Sequence, residues 1–299
     1  MTENLLLIKC KEYLKTLCIN ISERPVGSNG NRQATCFFER ELSLSGWETE
    51  MVEFEAIDWE DNGAFLKSDE ENFNVLVSPY SLGFRGEAEL ISASTIEELS
   101  KINAKNKIIF LSGEIAREQL MPKNFVFYNP EEHRNIISLL ENSGAKAIIS
   151  ATGRNAALAG GVYPFPLIED GDFDIPSVYM TEKEGLKLRP RIGKIVFLES
   201  KSERIPGKGF NVIGKKGISN SQKIVVTAHI DAKKGTPGAI DNATGVIVLL
   251  LLSDLLKDYN GNKLIEIVAF NGEDYYAVPG QMNYISANKN NFNRILLNI

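Results

Sequence analysis

The sequence predicts an α/β protein, a mixed and mostly parallel sheet flanked by helices, interrupted by a β-rich insert. Three observations carry this expectation. After Gly207 apolar strands and helical runs alternate, the pattern of a parallel sheet with helices on its faces. Between about residues 60 and 200 the texture changes to short apolar runs separated by turn signals. The length, 299 residues, is enough for two domains of ordinary size. The expected division is a discontinuous α/β domain, 1–58 with 202–299, and an insert over 59–201.

The elements follow in order. Leu5, Ile8, Tyr13 and Leu14 recur at helical spacing over 4–17. The segment "SERPVGSNGNRQATCFFERELSLSGW" reads as a turn and then a helix from about 31 to 44, closed by Gly46 in the left-handed conformation. "ETEMVEFEAI" alternates like a strand. In the insert, "FNVLVSP", "AELISAS", "KIIFLSG", "KAIIS", "SVYMT" and "KIVFLES" read as strands, with a helix over about 130–142. Thr181 and Glu184 form the signature of a capping box at a further helix start. His133 lies on the insert's 130–142 helix and reads as a structural histidine. Downstream, "FNVIGKKG", "QKIVVTAHI" and "NKLIEIVAFNGED" read as strands. "ATGVIVLLLLSDLLKDY" reads as a helix apolar on nearly every face, hence deeply buried. The last stretch, "PGQMNYISANKNNFNRILLNI", gives a helix and the start of another strand.

Composition excludes several classes. The hydrophobic share of 43% and charged share of 24% are those of a water-soluble globular chain. The net charge of −6, without a basic cluster, speaks against nucleic-acid partners. "GVIVLLLLSDLL" is too short to span a bilayer, and no membrane partner is expected. The amino terminus has Glu3 and scattered lysines where a signal peptide wants a basic start and an unbroken apolar run. The expected location is therefore cytoplasmic. Cys10, Cys18 and Cys36 have no C-x-x-C spacing and read as buried free thiols. No G-x-S-x-G, P-loop or G-x-G-x-x-G occurs, which disfavours a serine hydrolase of that type and nucleotide binding.

The chemistry concentrates at two strand ends. "IVVTAHID" ends in His229 and Asp231, "LIEIVAFNGED" ends in Glu273 and Asp274, and "GAIDNATG" between them places Asp241 before a helix. Ligands of open α/β sheets bind beyond the carboxyl ends of strands. Taken singly, a strand-end histidine, a G-E-D turn and a helix-start aspartate are ordinary structural features. Together at matching positions they suggest a metal site. Imidazole and carboxylates suit Zn²⁺ before Mn²⁺ or Co²⁺. Asp231 stands where it could orient the His229 ring. Of the adjacent acids, one could bind metal and the other take a proton from water.

On these residues, "VVTAHIDAKKGTPGAIDNATGVIVLLLLSDLL" followed by "IEIVAFNGED", the chain resembles the M28 family of zinc peptidases, mostly aminopeptidases. The segment 22–54 is similar to that family's opening, and 60–200 to the protease-associated (PA) insert that many members carry. The resemblance implies a zinc aminopeptidase-like fold, incomplete here, and a two-zinc site acting on peptide substrates. It implies His229 on one zinc, Asp241 bridging, Asp274 on the other where the family usually has Glu, Glu273 as general base and Asp231 orienting His229. It also implies an Asp241–Asn242 peptide bond that is often cis.

The chain departs from the family in two ways. The family supplies two further ligands downstream, an Asp and a His, yet no residue after Asp274 is Asp, Glu or His. The expectation is a chain shortened at its carboxyl end, binding metal weakly, with an exposed apolar sheet edge open to self-association. In "DYYAVPGQ", Tyr275, Tyr276 and Gln281 replace the family's smaller residues and should reshape the pocket wall. The competing reading is a non-catalytic binding protein with a peptidase-like fold. An aminoacyl cyclase of similar fold is a third.

Overall fold

The structure is a computed structural model and describes residues 3–152, 165–218, 222–275, 277–289 and 294–299. Its helices and strands are, in order, α1 Glu3–Lys15, α2 Asn29–Leu44, β1 Glu48–Ser68, β2 Glu71–Phe73, β3 Leu76–Val77, β4 Phe84–Ala93, α3 Ile96–Lys101, β5 Ile108–Leu111, α4 Glu131–Glu141, β6 Ala147–Thr152, β7 Ser177–Thr181, α5 Glu182–Leu188, β8 Ile195–Lys216, β9 Lys223–His229, α6 Thr244–Leu255, β10 Leu264–Phe270, α7 Pro279–Ala287 and β11 Arg294–Asn298. The chain forms two compact units, Met1–Asp58 with Pro206–Ile299, and Trp59–Ile205. Strands β1 and β8 have residues in both. Among the described residues no helix is long and apolar enough to cross a membrane.

In the first unit the strand order is β11-β9-β10-β8, with β11, β9 and β10 parallel and β8 antiparallel to β10. Alternation sorts the sheet's side chains to two faces. Val226, Ala228, Ile265, Ile267 and Ala269 join a core with Leu17 of the turn after α1, Phe38 and Leu42 of α2, and Val246, Leu249 and Leu250 of α6. Val225, Val268 and Phe270 face the other way and pack with Tyr284 of α7.

Helix α2 begins where the Ser28 hydroxyl accepts the Asn31 N–H at 3.1 Å. It ends at Gly46, whose φ of +72° lets the Gly46 and Trp47 N–H groups turn back to the carbonyls of Ser43 and Leu42. Helix α6 corrects one expectation. Its Val248 and Leu255 are exposed, because the helix covers the sheet with one face only, carrying Val246, Leu249, Leu250 and Ser253. The cysteines correct another. All three are free; Cys10 and Cys18 are half-buried at the core's edge, and Cys36 lies on the outer face of α2.

The second unit is more regular than a run of short strands suggests. Strands β4, β5, β6 and β7 are parallel neighbours in that order, and β3 adds antiparallel to β7. Ile109, Leu111 and Ile148 pack with Leu99 of α3 and Ile136 and Leu140 of α4 on one face. Ile108, Phe110 and Ile149 pack with Leu188 of α5 on the other. The expected strand "FNVLVSP" is broken into β2 and β3, and α3 was not anticipated. The capping box at α5 is half formed. The Thr181 hydroxyl accepts the Glu184 N–H at 3.1 Å, but the Glu184 carboxylate goes to the Asn74 N–H and to Lys187. His133 is a satisfied structural histidine, its Nδ1 accepting the Met121 N–H at 3.0 Å.

The core of the first unit sets a testable cost. Phe38→Ala, at a site with no exposed surface, should cost about 3–5 kcal/mol. Leu44→Ala on the same helix, 76% exposed, should stay within about 0.5 kcal/mol. Urea unfolding of the two variants checks the contrast.

Candidate metal centre

Strand β9 is the first of three parallel strands in chain order, yet it lies between the other two. Its chain successor β10 is on one side and β11 is on the other. Such a reversal opens a crevice at the strands' carboxyl ends. His229 is the last residue of β9, paired in register with Phe270, the last of β10. Glu273 and Asp274 follow in the turn after β10, and Asp241 precedes α6. All five candidate residues therefore meet at one end of one sheet, although 45 positions of chain separate the outermost.

The distances define a compact cluster. His229 Nε2 is 2.9 Å from Asp241 Oδ1 and 3.8 Å from Glu273 Oε2. His229 Nδ1 is 3.7 Å from Asp231 Oδ1, too long for a hydrogen bond, and this buried ring nitrogen has no hydrogen-bond partner. Asp231 is instead committed to the backbone. Its Oδ1 accepts the Glu273 N–H at 3.1 Å and its Oδ2 the Asp274 N–H at 2.9 Å. Donor atoms of His229, Asp231 and Asp274 lie within 4.8 Å of one another, so Asp231 joins the groups that could hold a cation. The Asp241 side chain is 77% exposed and that of Glu273 45% exposed, leaving both accessible from solvent.

The turn before α6 is shaped by close contacts. The Asp241–Asn242 peptide bond is cis. The Asn242 side chain accepts the Gly245 N–H at 2.9 Å, and a Cβ on Gly245 would meet that same Asn242 oxygen at 2.4 Å. Gly238 has φ +52°, and a Cβ there would meet Ala232 Cβ at 2.4 Å and Asp241 O at 2.6 Å. Only glycine fits at either position without a shift.

Sequence reasoning passed over the groups that brace these ends. Arg24 has no exposed surface and donates to backbone carbonyls on both sides of the 230–238 loop. Asn31, Asn211 and Asn271 form a buried amide chain. Asn31 and Asn271 exchange two hydrogen bonds at 2.8 and 2.7 Å, Asn211 Oδ1 accepts the Asn271 N–H, and Asn211 Nδ2 reaches the Gly280 carbonyl. Asn271 thereby pins the residue that leads into Gly272, Glu273 and Asp274. The "AFNGED" stretch held a signal: a polar Asn continuing an apolar strand needs a buried partner. Tyr275 is half-buried beside Asp274, Gln281 lies in the first turn of α7 with a buried, unpartnered Oε1, and Tyr276 is outside the described residues.

The charges perturb one another. Burial alone would lower the His229 pKa, but Asp231, Glu273 and Asp274 outweigh it and push it up to about 9. Burial and the Asp231 charge push Asp274 up to about 7, against the pull of His229 and Lys233. Burial, then Asp231 and Asp241, also raise Glu273, with His229 opposing.

With that geometry in hand, the sequence pattern of Peptidase family M28 matches residues 211–299, the stretch containing all five candidate residues. The aminopeptidase YwaD of Bacillus subtilis (strain 168) is 26% identical over 145 residues, 48% of this chain and 31% of YwaD. An aminopeptidase from Aneurinibacillus sp. strain AM-1 shares the fold with a TM-score of 0.70 and 21% identity, covering 93% of this chain and 65% of that one. BSAP, a zinc aminopeptidase from Bacillus subtilis, shares it with a TM-score of 0.72 and 20% identity, covering 97% and 67%. Over residues 211–299 the chain is similar to M28 peptidases, and it spans about two thirds of the length of the two solved aminopeptidases whose fold it shares.

The electrostatics fix a pH response for the metal-free protein. His229 has a folded pKa of about 9 against an ordinary 6.5, so its stabilisation is complete below about pH 6.5 and is lost as pH rises through 9. Asp274 has a folded pKa of about 7 against 3.8, so its destabilisation appears above about pH 4 and is complete above 7. Stability in the presence of a chelator should therefore fall between pH 4 and 9. Asp274→Asn should reduce the acid side of that slope, which Glu273 shares, and His229→Gln the alkaline side, as measured by urea unfolding across pH.

Proposed function

We propose that this chain is the site-bearing part of a zinc-dependent aminopeptidase that hydrolyses N-terminal peptide bonds. Its two-metal site would be held from this chain by His229, Asp241 and Asp274. The observation that carries the reading is the convergence of these residues and Glu273 at the adjacent ends of β9 and β10, inside the segment that matches a peptidase family. The second unit is read with it as a PA-like insert.

The residues fit a cation. An imidazole nitrogen, His229 Nε2, 2.9 Å from the Asp241 carboxylate, with the Asp231 and Asp274 carboxylates close to the same ring, is a donor set that Zn²⁺ takes. Bound zinc acidifies water and polarises a carbonyl. Glu273 is the general base: it is half-exposed toward solvent, within 3.8 Å of the His229 ring, and burial raises its proton affinity above that of an ordinary carboxylate. It takes a proton from the attacking water and returns it to the departing amine. Asp231 positions both acids by holding their two N–H groups, and its charge holds the His229 ring nearby. A free α-amino group is a cation, and the accessible carboxylates of Asp241 and Glu273 favour its approach.

The test pairs zinc content with hydrolysis of an amino-acid anilide carrying an unblocked amine. Glu273→Gln should retain zinc and lose about 10²–10⁴-fold in kcat. Asp241→Asn should lose zinc. Equal activity of wild type and Glu273→Gln would remove Glu273 from the chemistry, and wild-type protein that takes up no zinc would refute the metallopeptidase reading.

A further inference from the structure

We infer that Arg24 is the positioning residue of the metal centre: its buried guanidinium holds the loop between His229 and Asp241 on the one path that brings both side chains to the same point. The inference rests on the reading of His229 and Asp241 as ligands of one ion.

The geometry is specific to a guanidinium. Nε donates to the Ile230 carbonyl at 2.9 Å, Nη1 to the Pro237 carbonyl at 2.7 Å and to the Leu17 carbonyl, and Nη2 to the Gly238 carbonyl at 3.2 Å. Ile230 directly follows His229 and Gly238 stands three residues before Asp241, so one side chain grips the loop near both of its ends. The grip is returned by the backbone, since the Ala232 N–H donates to the Arg24 carbonyl at 3.1 Å. The loop lies directly on the cation: a Cβ on Gly238 would meet Nη2 at 2.9 Å.

Packing alone does not account for an arginine here. A fully buried cation is costly, and an apolar side chain of similar volume fills such space as well or better. Its compensation is four carbonyl acceptors, the neighbouring Cys18 side chain and the charges of Asp231 and Asp274, the last two being the site's own carboxylates. Burial still pulls the Arg24 pKa down, which marks how little solvent relieves the charge. What the guanidinium adds is a planar fork whose N–H groups point in fixed, divergent directions. A lysine has three donors on a single nitrogen and cannot reach Ile230 and Gly238 from opposite sides.

The experiment measures Zn²⁺ affinity by competition with a chromophoric chelator, alongside urea unfolding of the metal-free proteins. Arg24→Lys should remain folded and bind Zn²⁺ about 10–100-fold more weakly, the usual cost of losing a group that orients metal ligands. Arg24→Ala should lose as much or more, and methylguanidine, which can refill the fork's place, should restore its affinity. Wild-type affinity in folded Arg24→Lys overturns the inference while leaving the ligand reading intact. Loss of affinity in Arg24→Ala that only tracks its unfolded fraction, with no rescue by methylguanidine, overturns it in favour of a packing role. Wild-type protein that binds no Zn²⁺ refutes the ligand reading itself, and the inference with it.

Discussion

A carboxylate with no exposed surface ties the ends of two strands together. Asp231 leaves β9 and accepts the N–H groups of Glu273 and Asp274 beyond β10, so the backbone of the two acids is set by a third acid. The arrangement contains a conflict. The hydrogen bonds that place Glu273 and Asp274 also put a negative charge beneath their carboxylates, and burial adds to the penalty. Positive charge nearby resolves it: a protonated His229 above, the Arg24 guanidinium behind, and Lys233 in the loop. The surrounding buried amides of Asn31, Asn211 and Asn271 keep the turn from moving away from that charge.

The parts of this arrangement that were legible in the sequence are those written in consecutive residues. His229 and Asp231 stand two apart at a strand end, Glu273 and Asp274 are adjacent, and the glycines around Asp241 announce a tight approach. The bracing groups were not legible, because they act across the fold. Arg24 and its acceptor Ile230 are 206 positions apart, and Asn31 and Asn271 are 240 apart. In sequence, "SERPVGSNGN" looks like a polar turn, and nothing local distinguishes a buried arginine from a solvated one. A second role of Asp231 was not legible for a related reason. Spacing places it near the His229 ring, and its oxygens also accept two backbone donors that only the sheet's register brings close.

Elsewhere the differences have equally physical causes. The helix α3 carried a cap and an acid three residues on, Thr95 and Glu98, and that signature was overlooked in a short segment. The all-apolar α6 has an exposed side because its core face needs only some of its residues; the pattern was too uniform to mark which face. The parallel order of β4, β5 and β6 follows from α3 and α4 crossing between them. That order cannot be read from the strands without those helices.

The same electrostatics bear on why a cation suits this place. Bringing a carboxylate-rich cluster together in a half-buried crevice stores repulsion, and the metal-free protein relieves it by holding protons on His229 and, in part, on Asp274. A proton is a one-charge remedy at one atom. A divalent ion neutralises several carboxylates at once. Proton and metal compete for these donors, so a fold that holds them close strengthens proton binding and metal binding together. What favours the metal is the number of donors held at fixed mutual distance. That number depends on the loop path between His229 and Asp241, and so on the backbone carbonyls that Arg24 grips.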